Sequence, residues 1–167
     1  GCLPEDVQVY ASANIIKNVK SVIVPNTGGQ RGLTVAAAAG IVAGDADAKL
    51  QVLAGITPEQ VEQIAGYEKR GIVHVHPSEK DYIFDIQVRV NAAGHTAFAE
   101  IAGFHTNVIR LEQDGAVLLD RPYTEEGPKH ATDRSLLTVE RIVEFADAVK
   151  IADVQSVLQR QIDCNTA

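Results

Sequence analysis

Three groups of residues in this chain have the types and spacing to hold a small charged ligand. The first is the loop Pro25-Asn26-Thr27-Gly28-Gly29-Gln30-Arg31-Gly32, between the β-branched run Val19 to Val24 and an alanine-rich stretch from Leu33 to Val42. Read as strand, loop and helix, the junction leaves backbone N–H groups without intrahelical acceptors, and the aligned peptide dipoles attract carboxylates and phosphates. Gly28, Gly29 and Gly32 permit positive φ and let the backbone approach a ligand closely. The loop is neither G-x-G-x-x-G nor G-x-x-x-x-G-K-S/T, so dinucleotides and P-loop nucleotides are not indicated, and a plain structural turn is the alternative.

The second group is Asn14, Lys17 and Asn18, which share a face if Ser12 to Lys20 forms a helical turn; solvated loop side chains are the alternative. The third is Gly103-Phe104-His105-Thr106-Asn107. His105, Thr106 and Asn107 offer a titratable ring, a hydroxyl and an amide, which suits an amino acid or a carboxylate. They suit a capped strand end and a closed turn equally well. Other chemistry is missing its parts: there is no G-x-S-x-G, no H-E-x-x-H and no cysteine paired with a histidine. His74 and His76 lack an evident third ligand, and a polar sheet face accounts for them better than a metal.

The elements that would position these residues follow from period and punctuation. Asp6 to Ala11 alternates as a half-buried strand. Asp47 to Ala54 reads as a short helix, and Thr57-Pro58-Glu59-Gln60 opens another with an N-cap, a proline and a capping-box glutamine. From Gly71 the period changes to two: Ile72 to His76, Tyr82 to Val90, Thr96 to Ala102, His105 to Glu112 and Ala116 to Leu119 are strands, the last two joined by the hairpin signal Asp114-Gly115. Residues 122 to 134 read as a loop or linker, and helices follow from Ser135 or Thr138 to about Val149 and from Asp153 to Ile162. The expected fold is α+β: an antiparallel β-meander of about four strands with helices on one face, preceded by the strand–glycine loop–helix unit. The expected units are an α+β ligand-binding-like domain over 1–121, the linker over 122–134 and a helical segment over 135–167.

With 167 residues, 46% apolar and 22% charged, the chain is of a size and composition for one globular core. A net charge of −7 without a Lys/Arg cluster argues against nucleic acid. No apolar run approaches the length of a membrane span, and no signal peptide is visible. Cys2 and Cys164 belong to no C-x-x-C pair, which fits free thiols in the cytoplasm. The absence of methionine, even at position 1, and the ending IDCNTA suggest a piece of a longer protein. An exposed apolar face on such a piece would allow a homodimer.

SANIIKN, VIVPNTGGQRGLTVAAAAGIVAGDADAKLQVLAGIT and GFHTNVIRLEQDG together resemble the N-terminal portion of the bacterial L-cysteine desulfidase family, which carries an iron–sulfur serine dehydratase alpha-chain-like domain. The resemblance implies an amino-acid lyase that uses a 4Fe-4S cluster to eliminate the β-substituent of L-cysteine or L-serine, giving pyruvate and ammonia, with sulfide from cysteine. A second resemblance, of the order of elements to an allosteric-substrate-binding domain, implies that a small amino acid meets Asn14, Lys17, Asn18, Thr27, Gly28, Gly29, Gly32, His105, Thr106 and Asn107, in an active site completed by a missing half or in an effector site. The family's N-terminal cluster cysteine, in a G-C-T-E-P motif, precedes the N-I-I-K-N segment by a much longer stretch than the eleven residues between Cys2 and Asn14. Cys2 is therefore not that ligand, and Cys164 matches no ligand motif. The expectation is an inactive fragment with no cluster of its own, completed by a C-terminal half. That second resemblance leaves open a non-catalytic amino-acid-binding or regulatory role.

Overall fold

The computed structural model describes residues 2–124 and 134–165. The chain divides into two units, Gly1–Gly127 and Pro128–Ala167. Much of the expected linker over 122–134 lies outside the described residues.

The first unit is built on a six-stranded mixed sheet of order β2-β1-β3-β4-β5-β6. Its strands are β1 (Asp6–Ala11), β2 (Val73–Pro77), β3 (Asp85–Ala92), β4 (His95–Ala102), β5 (Val108–Gln113) and β6 (Ala116–Asp120). β3 to β6 form the expected antiparallel meander of four strands. Two of its turns are two-residue hairpins with positive φ at both positions, Ala93-Gly94 and Asp114-Gly115, the twist that matches flanking strands. β1 pairs antiparallel with β3 and parallel with β2. A parallel pair requires a crossover, and here it carries α1 (Ala13–Val19), α2 (Leu33–Ala43) and α3 (Pro58–Glu68).

Alternation along β1 decides which face the helices cover. Val7, Val9 and Ala11 are buried while Asp6, Gln8 and Tyr10 are half-buried on the other side. Val7, Val9 and Val73 pack with Val24, Val35, Ala38, Ala39, Ile64 and Tyr67 into the core. The alanines of α2 leave room for α3 to approach closely, and Thr34 of α2 hydrogen-bonds Glu68 of α3. α3 starts as its sequence predicts: Thr57 accepts from the Gln60 N–H, Gln60 accepts from the Thr57 N–H, and Pro58 occupies the first turn. In the second unit α4 (Val139–Ala148) is capped by Thr138, and α5 (Ile151–Asn165) follows. Among the described residues no helix is long and apolar enough to cross a membrane.

Two local expectations are corrected. Val19 to Val24 is not a strand: Val19 ends α1, and Ile23 makes a single bridge to Arg31. β1 is already flanked by β2 and β3, so no edge beside it is open to the short run Val22-Ile23-Val24. The short helix expected over Asp47 to Ala54 is a 3-10 helix over Ala46–Gln51, which ends earlier and is broken at Lys49, whose φ is 52°.

Candidate functional site

The three groups expected from sequence occupy different places. Asn14, Lys17 and Asn18 lie exposed on α1, with Asn18 Nδ2 3.4 Å from Asn14 Oδ1. α1 begins where β1 ends, and Ser12 anchors that start: its N–H donates to the Asp85 carbonyl and its hydroxyl to the Ile83 carbonyl, both at 2.9 Å. His105 to Asn107 reach the other flank of the same segment. The Gly103 N–H donates to the Phe84 carbonyl, the His105 ring lies 4.6 Å from the Phe84 ring, and Asn107 Nδ2 closes the turn on the Ala102 carbonyl. The start of α1 and the His105–Asn107 turn therefore share one end of the sheet.

The glycine loop is held elsewhere. Thr27 is fully buried and donates its hydroxyl to the Val24 carbonyl at 2.7 Å. Gln30 donates to the Thr27 carbonyl, and Asn26 to the Leu53 carbonyl. Gly28 (φ 70°) sits so close to Val61 that a Cβ there would come within 3.2 Å, while Gly29 (φ 87°) faces open space. Gly32 (φ 93°) is the N-cap of α2 and brings no side-chain acceptor. No hydrogen bond or ring contact among the described residues joins this loop to His105–Asn107.

The polar sheet face opposite the core supplies a site that the sequence reading did not single out. Register sets Tyr10 beside Gln87, Gln87 beside Glu100, and Arg89 beside Phe98. With Glu79 and Lys80 from the loop after β2, Tyr10, Gln87, Arg89 and Phe98 line a cavity of about 390 Å³. Lys80 Nζ is 2.5 Å from the buried carboxylate of Glu100. The Arg89 guanidinium lies 4.8 Å from the Phe98 ring. It comes only within 4.0 Å of Glu112, whose carboxylate is held at 2.5 Å by Arg110; this contact raises the Arg110 pKa. Below the cavity, Asp85 is fully buried, accepts from Ser78 and from Gln87 Nε2, and keeps Oδ1 without a partner.

The signal for this face was the alternation in Tyr82 to Val90, which puts Asp85, Gln87 and Arg89 on one side. Nothing local marks Glu79 or Lys80, because their place depends on a loop folding over a non-adjacent strand. Among the described residues no group of three or more His, Cys, Asp or Glu side chains is arranged for a metal ion. Cys2 and Cys164 are both exposed, and two thiols are fewer than the four that ordinarily hold a 4Fe-4S cluster, so the described residues by themselves do not fit one.

No protein-family profile matches the chain, and no solved structure matches it. Curated relatives do. A UPF0597 protein of Desulfitobacterium hafniense is 39% identical over all 167 residues, which cover 39% of that protein's length. UPF0597 proteins of Treponema denticola and Lachnoclostridium phytofermentans are each 35% identical over 99% of the chain, which covers 38% and 40% of their lengths. The chain thus spans about two fifths of the relatives it matches. Those names state no activity, substrate or partner. They overturn the expected membership of the L-cysteine desulfidase and iron–sulfur serine dehydratase families: it is UPF0597 proteins that the chain is similar to from end to end.

Proposed function

We propose that this chain binds a small amino acid in the cavity on the polar sheet face. The observation that carries the reading is the cavity's charge inventory. Lys80 is neutralised by Glu100, and Glu112 is held mainly by Arg110, which leaves Arg89, with only a 4.0 Å contact to Glu112, as the most weakly paired cation of the cavity and Glu79 as an anion with no ion pair among the described residues. One weakly paired cation and one unpaired anion complement a zwitterion: a guanidinium takes a carboxylate, and a carboxylate takes an ammonium. Tyr10 and Phe98 offer ring surface to the rest of the ligand, and about 390 Å³ lies in the range of small-molecule sites. The exposed Asn14, Lys17 and Asn18 and the His105–Asn107 turn stand at one end of the same sheet, where they would meet a ligand extending beyond the cavity.

Titration calorimetry with L-alanine, L-serine and L-cysteine, alongside lactate and ethanolamine, tests this. Each of the last two lacks one of the charges. The expected result is binding of the amino acids and loss of about tenfold or more in affinity for either analogue, each charged contact contributing about 1.5–3 kcal/mol. Equal binding of all five, or none at millimolar concentration, would overturn the reading.

A finer reading gives a protein of the relatives' length a lyase activity, β-elimination from serine or cysteine to pyruvate and ammonia, with sulfide from cysteine. What supports it is the place of the Lys80 ammonium at the cavity wall, where its remaining N–H donors can meet a ligand carboxylate or leaving group. No step is assigned to an iron–sulfur cluster, for which the described residues supply no ligand set. Pyruvate release from such a longer protein, lost in Lys80→Met, supports the lyase; amino-acid binding without pyruvate assigns a regulatory or ligand-carrying role.

A further inference from the structure

We infer that Asp85 is a positioning residue that fixes Gln87 as a hydrogen-bond acceptor facing the ligand, so that the site favours ligands bearing a primary ammonium. The inference rests on the amino-acid reading above.

A carboxylate only accepts hydrogen bonds, whereas a glutamine amide has a donating and an accepting end. Gln87 Nε2 is 2.9 Å from Asp85 Oδ2, with Ser78 Oγ at 3.5 Å. The donating end of Gln87 is thus committed beneath the cavity, and the carbonyl Oε1 is the polar atom left for the cavity that Gln87 lines. Asp85 also ties down the opposite wall. Ser78 donates to the same Oδ2, and its Oγ accepts from the Lys80 N–H at 3.1 Å, which shapes the turn carrying Glu79 and Lys80.

Burying a carboxylate with one oxygen unpartnered is unfavourable, and the isosteric asparagine would fill the same space at less expense in free energy. What the carboxylate supplies and a neutral amide does not is an unambiguous orientation for Gln87. An asparagine at 85 presents a donor or an acceptor, so Gln87 can turn and offer its NH₂ to the ligand. With Glu79 and Gln87 Oε1 both accepting, the cavity matches an ammonium that has several N–H donors, and replacing those hydrogens by methyl groups removes the match.

Calorimetric affinities for L-alanine and N,N-dimethyl-L-alanine test this in the wild type, Asp85→Asn and Gln87→Met, with circular dichroism recorded on each. The wild type is expected to prefer alanine by about tenfold, as loss of one ammonium hydrogen bond implies. Both variants should narrow that preference to roughly threefold or less while still binding a carboxylate ligand through Arg89. Gln87→Met remains informative if Asp85→Asn does not fold, because Gln87 is only half-buried. An unchanged preference in a folded variant overturns the inference and leaves the amino-acid reading intact; a wild type that binds no amino acid removes the reading itself.

Discussion

Lys80→Met should destabilise the first unit far more than the loss of a surface ion pair does. Glu100 is 1% exposed, and the Lys80 ammonium at 2.5 Å is its counter-ion. Removing one partner of a buried pair costs about 3–5 kcal/mol because it leaves a charge buried without compensation. The Lys80 side chain is 39% exposed, so water reaches the vacated position and screens part of that penalty. The expected loss is therefore about 2 kcal/mol, between the buried and surface limits. Urea denaturation followed by far-ultraviolet circular dichroism reads this as a midpoint lowered by about 1–2 M. The double variant Lys80→Met/Glu100→Gln removes the stranded charge and should recover most of the loss, giving a coupling energy of about 1 kcal/mol or more. A Lys80→Met midpoint within error of the wild type, or strictly additive single effects, would refute the view that Glu100 is held as a paired carboxylate.

Three further outcomes follow from local geometry. The Asp114 carboxyl is held below its usual range by the Thr96 backbone N–H and by His95. A depressed carboxyl stabilises the fold above its ordinary value and loses that contribution as pH falls through the folded value. Asp114→Asn, which tolerates the φ of 49° at this turn, should lower stability at neutral pH and flatten the acid limb of the denaturation profile; an acid limb unchanged by the substitution would contradict this. Gly94 and Gly103 share a φ of 82°, but a Cβ at Gly103 would lie 2.5 Å from the Thr124 carbonyl oxygen while one at Gly94 meets nothing. Gly94→Ala should cost about 1–2 kcal/mol in chemical denaturation from backbone strain alone, and Gly103→Ala measurably more. Thr57→Ala removes half of the α3 capping box and should cost about 1 kcal/mol by the same assay.

How much could be read from the chain depended on how local the determinants were. β1 was legible because its alternation is complete within six residues, and α3 because Thr57, Pro58 and Gln60 carry its start signal within four consecutive residues. The Asp114-Gly115 hairpin needed only the two residues that adopt positive φ. Val22-Ile23-Val24 misled because β-branched residues fit a strand where a partner is free, and the positions beside β1 are taken by β2 and β3, which leaves Ile23 a single bridge to Arg31. The cavity was not legible for a related reason. Arg89 and Gln87 sit on a strand whose polar period is visible, but Glu79 and Lys80 arrive through the parallel crossover and a loop, and Tyr10 through the antiparallel pairing of β1 with β3, contacts that no short window contains. Thr27, named from its place in the glycine loop, spends its hydroxyl inside the turn.

The central claim is that Arg89 and Glu79 together make the cavity a receptor for a zwitterion. Calorimetric titration of L-alanine, lactate and ethanolamine into the wild type, Arg89→Ala and Glu79→Ala tests it most directly, since Glu79 is exposed and Arg89 47% exposed, so neither supports the core. Arg89→Ala should weaken the two carboxylate ligands and spare ethanolamine, and Glu79→Ala should weaken the two amines and spare lactate, each by about tenfold. Affinities that fall for all three ligands alike, or that neither substitution changes, would contradict the account.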